Sequence, residues 1–265
     1  MDATRRLGTD CRKSGKPLSF LGITAYDAPI PPPPQAPAPV KPLAVVEGPF
    51  YRAVAPLVAW LIRRGVRPNT ITTIGTGFVL ISAVAYGFGA IRLGGALLLI
   101  SGIADTLDGQ VARGGAMVTK FGAFYDSTLD RVGDGATFIG IGAFLLTAPD
   151  VAFRVPAVIV CMVAILSSLL VSYARARAEG LGLDCKVGIA QRAERILGLG
   201  VASLLVGAGP RGLVIGAVVA LLALASSITV VQRFVWVHRH AGDADAGTRR
   251  TARERRPLDS LAKGH

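Results

Sequence analysis

Residues 105–130 read DTLDGQVARGGAMVTKFGAFYDSTLD. Asp105 and Asp108 are three apart, and Asp126 and Asp130 are four apart. On helices each pair therefore shares one face. Between them Gly114-Gly115-Ala116 marks a short turn, which predicts antiparallel neighbouring helices whose carboxylates converge. The flanking sequence is apolar, so these acids sit at the ends of two hydrophobic segments. A carboxylate at membrane depth costs about 2.5–3.5 kcal/mol, and clustered acids repel one another, so a cation must accompany them. Arg113 and Arg131 alone do not balance the charge. Hard oxygen ligands without His or Cys point to Mg²⁺, Mn²⁺ or Ca²⁺ rather than Zn²⁺. Four carboxylates suit two such ions, an arrangement fitted to phosphoryl displacement. Gly109 and Ala112 clear the helix face beside the acids, Arg113 is placed to contact phosphate oxygens, and Gly122 permits close helix packing.

Outward from this stretch the chain reads as a membrane protein. Its 265 residues are 51% hydrophobic and only 17% charged, with mean hydropathy +0.51, against about 25% charged in soluble domains. Six apolar segments lie near 69–90, 92–113, 119–147, 152–178, 188–208 and 212–237, each near the roughly 20 residues that span a bilayer. The expected fold is all-α: six transmembrane helices, with a basic amphipathic helix over residues 46–67 lying on the membrane surface. Residues 1–45, with Pro31-Pro32-Pro33-Pro34, read as an unstructured extension or tether. The membrane domain covers 46–240, and 241–265 read as a basic tail suited to anionic headgroups.

Charge gives an orientation. Arg92, Arg154 and Arg211 lie on one side of the segments; most other cations lie on the opposite side. The positive-inside rule then places both termini and the acids in the cytoplasm. The formal net charge of +12 fits anionic lipid or an anionic substrate. It does not predict nucleic-acid binding, because no soluble domain of useful size remains. Cys11, Cys161 and Cys185 have no metal-ligand spacing. The first twenty residues are polar and basic without an apolar core, predicting no secretory signal. An ion or lipid transporter would also use buried acids, but it leaves the Gly-Ala-Arg spacing unexplained and there is no convincing internal repeat. A non-catalytic lipid-binding scaffold would be marked by a lost aspartate, and none of the four is lost.

The spacing D-x2-D-G-x2-A-R-x8-G-x3-D-x3-D resembles the signature of the CDP-alcohol phosphotransferase (phosphatidyltransferase) family at every specified position. The resemblance covers roughly residues 46–240. It implies an enzyme, usually homodimeric, with six membrane helices around a polar cavity open to the cytoplasm. It further implies that Asp105, Asp108 and Asp126 hold metal, and that Asp130 joins the metal site and acts as general base. Pro68-Asn69-Thr70-Ile71-Thr72 matches a second family element. Read locally, Asn69 is a candidate helix cap and Thr72 a first-turn polar residue; by resemblance both contact the cytidine end of the CDP-lipid, the donor, beside Gly109, Ala112, Arg113 and Gly122.

The acceptor is read from cations. Arg175 closes Ser172-Tyr173-Ala174-Arg175, and Arg192 and Arg195 flank Ala193-Glu194. Gathered on the side of the aspartates, they suggest an acceptor carrying its own phosphate, although ordinary positive-inside residues would also lie there. The pattern is similar to that of family members that act as phosphatidylinositol phosphate synthases and their archaeal-lipid relatives. Arg175 stands where those often have Lys and Ala193 where they often have Pro; Arg233 resembles a further phosphate-binding arginine. Inositol phosphate is the expected acceptor, with glycerol 3-phosphate as the alternative.

Overall fold

The computed structural model describes residues 44–262, with side chains for 50–241. The proline-rich extension and the side chains of the basic tail lie outside the described residues. Among those described there are seven α-helices and no strand: α1 (Ala44–Arg63), α2 (Pro68–Gly87), α3 (Ile91–Gly114), α4 (Lys120–Thr147), α5 (Arg154–Gly180), α6 (Arg192–Leu205) and α7 (Leu213–Ala262). A 3₁₀ turn at Pro210–Gly212 precedes α7, which runs on through residue 241 without a break.

Three helical stretches are long and apolar enough to cross a membrane: Pro68–Gly87, Arg154–Gly180 and Pro210–Ala241. α3 and α4 carry the aspartates. α6, with 14 residues, rises only about 21 Å, less than a hydrocarbon core of about 30 Å. The molecule is a membrane protein, as its outer surface shows: Ile81 and Val84 on α2, Met162 and Leu166 on α5, and Leu221 and Phe234 on α7 are all exposed.

Neighbouring pairs close a ring in the order α2, α3, α6, α7, α5, α4 and back to α2. The expectation that α3 and α4 are packed neighbours is therefore corrected. Each packs on α2 instead, because small residues let α2 lie between them. A Cβ on Gly140 of α4 would stand 2.1 Å from the Ala83 carbonyl oxygen of α2, so only glycine permits that crossing. Inside the ring Tyr86, Ile141, Leu145, Ile215 and Val219 are buried. The Tyr86 hydroxyl donates to Ser203 Oγ at 3.0 Å, satisfying its one polar atom.

α1 has two apolar faces. Val58, with Val54, Leu61 and Ile62, packs on Ile71, Leu107 and Val111. Tyr51, Leu57 and Trp60 point outward, and Arg64 stacks over the Trp60 ring at 5.3 Å.

The α3–α4 turn also differs from simple expectation. Its left-handed residue is Ala116 (φ 52°) rather than either glycine. Gly115 is needed for room, since a Cβ there would stand 2.9 Å from the Val111 carbonyl oxygen. Thr119 then caps α4, accepting from the Gly122 amide at 2.9 Å.

Between α5 and α6 the chain is non-helical over residues 183–191, with a bend at Ile189. Leu183 and Cys185 face inward on Trp236 of α7, while Asp184 and Lys186 form an ion pair at 2.6 Å on the outward side of this strap. Thr229 Oγ1 of α7 accepts from the Ile189 and Ala190 amides at 3.2 and 3.1 Å. Arg233 Nε donates to the Val187 carbonyl at 2.9 Å, and its Nη1 donates to the Val171 carbonyl.

Candidate active site

The ring brings the two acidic pairs together at one end. Asp105 and Asp108 come from the last turns of α3, and Asp126 and Asp130 from the early turns of α4. Asp105, Asp108 and Asp126 each offer a carboxylate oxygen within 4.8 Å of the others. Thr72 of α2 donates to Asp108 Oδ2 at 2.6 Å. That bond fixes a buried carboxylate that no cation touches directly among the described residues. Asp126 Oδ1 is buried without a hydrogen-bond partner among the described residues. Three converging hard-oxygen donors with one unpartnered buried oxygen fit a divalent metal ion.

Asp130 lies one helical turn farther along α4 and, like Asp105, engages a cation. Its Oδ1 is 3.0 Å from Arg192 Nη1, which also lies 2.7 Å from Asp105 Oδ1. Arg131 stands 3.9 Å from its other oxygen. A cavity of about 10 Å³, enough for one water, lies among Thr72, Gly75, Ser101, Asp105, Asp108, Asp130 and Arg192.

The expected donor-binding residues fall beside this cluster. Asn69 does not cap α2. Pro68 at the first helical position sets the start, Arg67 is the N-cap, and there is no side-chain cap bond. The Asn69 side chain instead faces α4, where a Cβ on Gly122 would come within 3.2 Å of its Oδ1. Arg113 is exposed, and its guanidinium lies over Gly109, 3.2 Å from where a Cβ would be. Ala112 is half-buried on the same helix. Thr72 faces an aspartate rather than open space.

The four acceptor-side arginines divide. Arg175 is exposed and pairs with Glu179 at 2.8 Å. Arg192 joins the aspartates. Arg195 is buried, with its side chain only 5% exposed. It donates to Asp134 Oδ2 at 2.6 Å and to the Ala190 carbonyl at 3.0 Å. Arg233 is buried and is bound to backbone carbonyls, within electrostatic range of Arg175 and Arg195. Sequence reasoning missed Asp134, Ser168 and Thr229. For Asp134 a signal existed: it extends the four-residue stripe of Asp126 and Asp130 by one turn.

Residues 66–232 match the CDP-alcohol phosphatidyltransferase family. The chain belongs to that family and is an enzyme, which sets aside the transporter and scaffold readings. It is 38% identical over 206 residues to a phosphatidylinositol phosphate synthase of Streptomyces avermitilis, covering 75% of this chain and 83% of the relative. It is 42% identical over 164 residues to an archaetidylinositol phosphate synthase of Methanothermobacter thermautotrophicus, covering 61% and 79%. The crystal structure of Mycobacterium tuberculosis phosphatidylinositol phosphate synthase with CDP-DAG bound superposes with TM-score 0.60 at 32% identity, covering 69% of this chain and 92% of that one. The same enzyme in complex with manganese and citrate gives TM-score 0.59 at 33% identity, covering 68% and 86%.

Proposed function

We propose that this enzyme transfers the phosphatidyl group of CDP-diacylglycerol, or a related CDP-lipid, to inositol phosphate and releases CMP. One observation carries the reading: Arg192 joins the aspartate cluster on one side to the buried Arg195–Asp134 pair on the other. Charge to hold an acceptor phosphate thus lies against the acids that would do the chemistry. The relatives named as inositol-phosphate enzymes support the same acceptor.

Asp105, Asp108 and Asp126, with Asp130 at the edge, would hold divalent metal, two Mg²⁺ ions by our reading, with Mn²⁺ able to substitute. Bound there, the metal supplies positive charge to the diphosphate and the departing CMP. Thr72 orients Asp108. Asn69, Gly109, Ala112, Arg113 and Gly122 line the place for the CDP moiety: the glycines and alanine give room, and Arg113 binds phosphate oxygen. Asp130 acts as general base. The acceptor hydroxyl gives its proton to the Asp130 carboxylate while its oxygen bonds to the phosphorus bearing the lipid, and the bond from that phosphorus to the CMP oxygen breaks. Arg175, Arg192 and Arg195 attract the acceptor phosphate, and Arg233 anchors the strap that leads to Arg192 and Arg195.

The same reading has α2 to α7 as six spans, with the strap completing the crossing of α6, and α1 on the bilayer surface. It puts both termini and the site in the cytoplasm and pairs the chains as a homodimer in the cell membrane. The test is CMP release by purified protein with CDP-diacylglycerol and Mg²⁺. Parallel reactions contain inositol 1-phosphate, glycerol 3-phosphate, free inositol or serine. Release with inositol phosphate alone is expected. Release with glycerol 3-phosphate instead would keep the chemistry and overturn the acceptor.

A further inference from the structure

Asp134 lies outside the aspartate motif and takes no part in the reaction above, yet it is the most connected carboxylate among the described residues. Its Oδ2 accepts from Arg195 Nη2 at 2.6 Å and from Ser168 Oγ of α5 at 2.9 Å. Its Oδ1 is 3.6 Å from Arg192 Nε. It is the one carboxylate among the described residues that pairs with both α6 arginines.

The geometry has a purpose that stability does not require. A buried ion pair often contributes little net stability compared with an apolar replacement. Arg192 and Arg195 are three apart on α6, and two guanidinium groups of like charge sharing that face repel one another unless a carboxylate lies between them. Asp134 supplies that carboxylate, and Ser168 fixes its orientation. Arg192 then presents Nε to Asp134 and Nη1 to Asp105 and Asp130. The distance between phosphate-holding groups and reacting groups is thereby set by one side chain on α4.

We infer that Asp134 is a positioning residue for the acceptor phosphate: it sets the spacing of Arg192 and Arg195 and couples them to the carboxylates where the acceptor hydroxyl reacts. This rests on the phosphorylated-acceptor reading. Losing one charge-assisted hydrogen bond in such a pair corresponds to about a 10- to 100-fold effect.

The experiment is steady-state kinetics of Asp134→Asn and Ser168→Ala in detergent, varying inositol 1-phosphate and CDP-diacylglycerol separately. Thermal melting and Mn²⁺ binding by electron paramagnetic resonance serve as controls. For Asp134→Asn the acceptor KM should rise about 10- to 100-fold while the CDP-lipid KM stays within about twofold and Mn²⁺ binding is kept. Ser168→Ala should move the acceptor KM the same way by about two- to threefold. Equal rises in both KM values, or a lower melting temperature with unchanged kinetics, would overturn the assignment. Should Asp134→Asn fail to fold, an unchanged acceptor KM in Ser168→Ala would do so. Wild-type turnover with an unaltered variant KM sinks Asp134 alone, whereas a wild type that uses no phosphorylated acceptor sinks the functional reading as well.

Discussion

At the scale of single residues, the site depends on where each carboxylate finds its partner. Asp126 and Asp130 share a helix face but not an environment: one has a buried oxygen without a partner, the other an arginine at 3.0 Å. Asp126→Asn should abolish metal-dependent transfer and Mn²⁺ binding together. Asp130→Asn should abolish transfer while at least part of the Mn²⁺ binding remains. Both proteins should melt near the wild-type temperature, and normal turnover in either would refute the assigned site. Thr72→Val removes the 2.6 Å hydrogen bond to Asp108 and leaves a buried carboxylate less well held. We expect kcat to fall about tenfold, the equivalent of about 1.4 kcal/mol, with the acceptor KM little changed. The aspartates were legible because their spacing alone puts each pair on one face. The tasks of Asn69 and Thr72 were not, since each is defined by a partner dozens of residues away. Pro68, by fixing where α2 starts, removed Asn69 from the capping position.

At the scale of elements, the strap of residues 183–191 does what a helix would otherwise do: it delivers Arg192 to the aspartates. Two of its backbone donors, the Ile189 and Ala190 amides, end on Thr229 and one of its carbonyls on Arg233. Thr229→Val keeps the shape and removes the acceptor, leaving one buried and one part-buried amide unmatched. A destabilisation of about 1–3 kcal/mol is expected, read by thermal melting, together with a raised acceptor KM. An unchanged melting temperature would show that the strap is held by its apolar contacts alone. Segment positions were readable from hydropathy to within a few residues for α2 to α5. The strap was not, because Gly188-Ile189-Ala190 is as apolar as a helix and nothing local reveals that its amides turn to α7. Similarly, the short turn after Gly114 correctly joined α3 to α4 but could not disclose α2 lying between them. That arrangement depends on Gly140 meeting the backbone at Ala83, a match visible only in three dimensions.

For the whole molecule, the prediction concerns sidedness. Three stretches qualify as spans on length and composition; our reading requires six crossings. Single cysteines introduced in a background free of Cys11, Cys161 and Cys185 should test it with a membrane-impermeant thiol reagent on intact cells. Sites at Arg92, Phe153 and Arg211 should label from outside, and sites at Lys120 and Lys186 only after lysis. Labelling of Lys186 from outside, on the same side as Phe153 and Arg211, would overturn the crossings assigned to α5 and α6. The all-helical, membrane-embedded character followed from hydropathy and low charge. The order of helices around the ring did not, because close approaches between small residues select it and composition alone does not encode them.

The polar outer edge of the strap bears on how two reactants of opposite solubility meet. A double-tailed nucleotide lipid travels sideways within the leaflet; a sugar phosphate diffuses in the aqueous phase and is excluded from oil. Non-helical backbone at such a depth is tolerated only against protein or water. One edge of the strap leans on α7, and the other carries the Asp184–Lys186 pair. On the proposed reading, that second edge is the aqueous side from which the acceptor approaches Arg192. The hydrophilic reactant can then descend to the acids while the oily one stays in the leaflet, and neither has to leave its own phase.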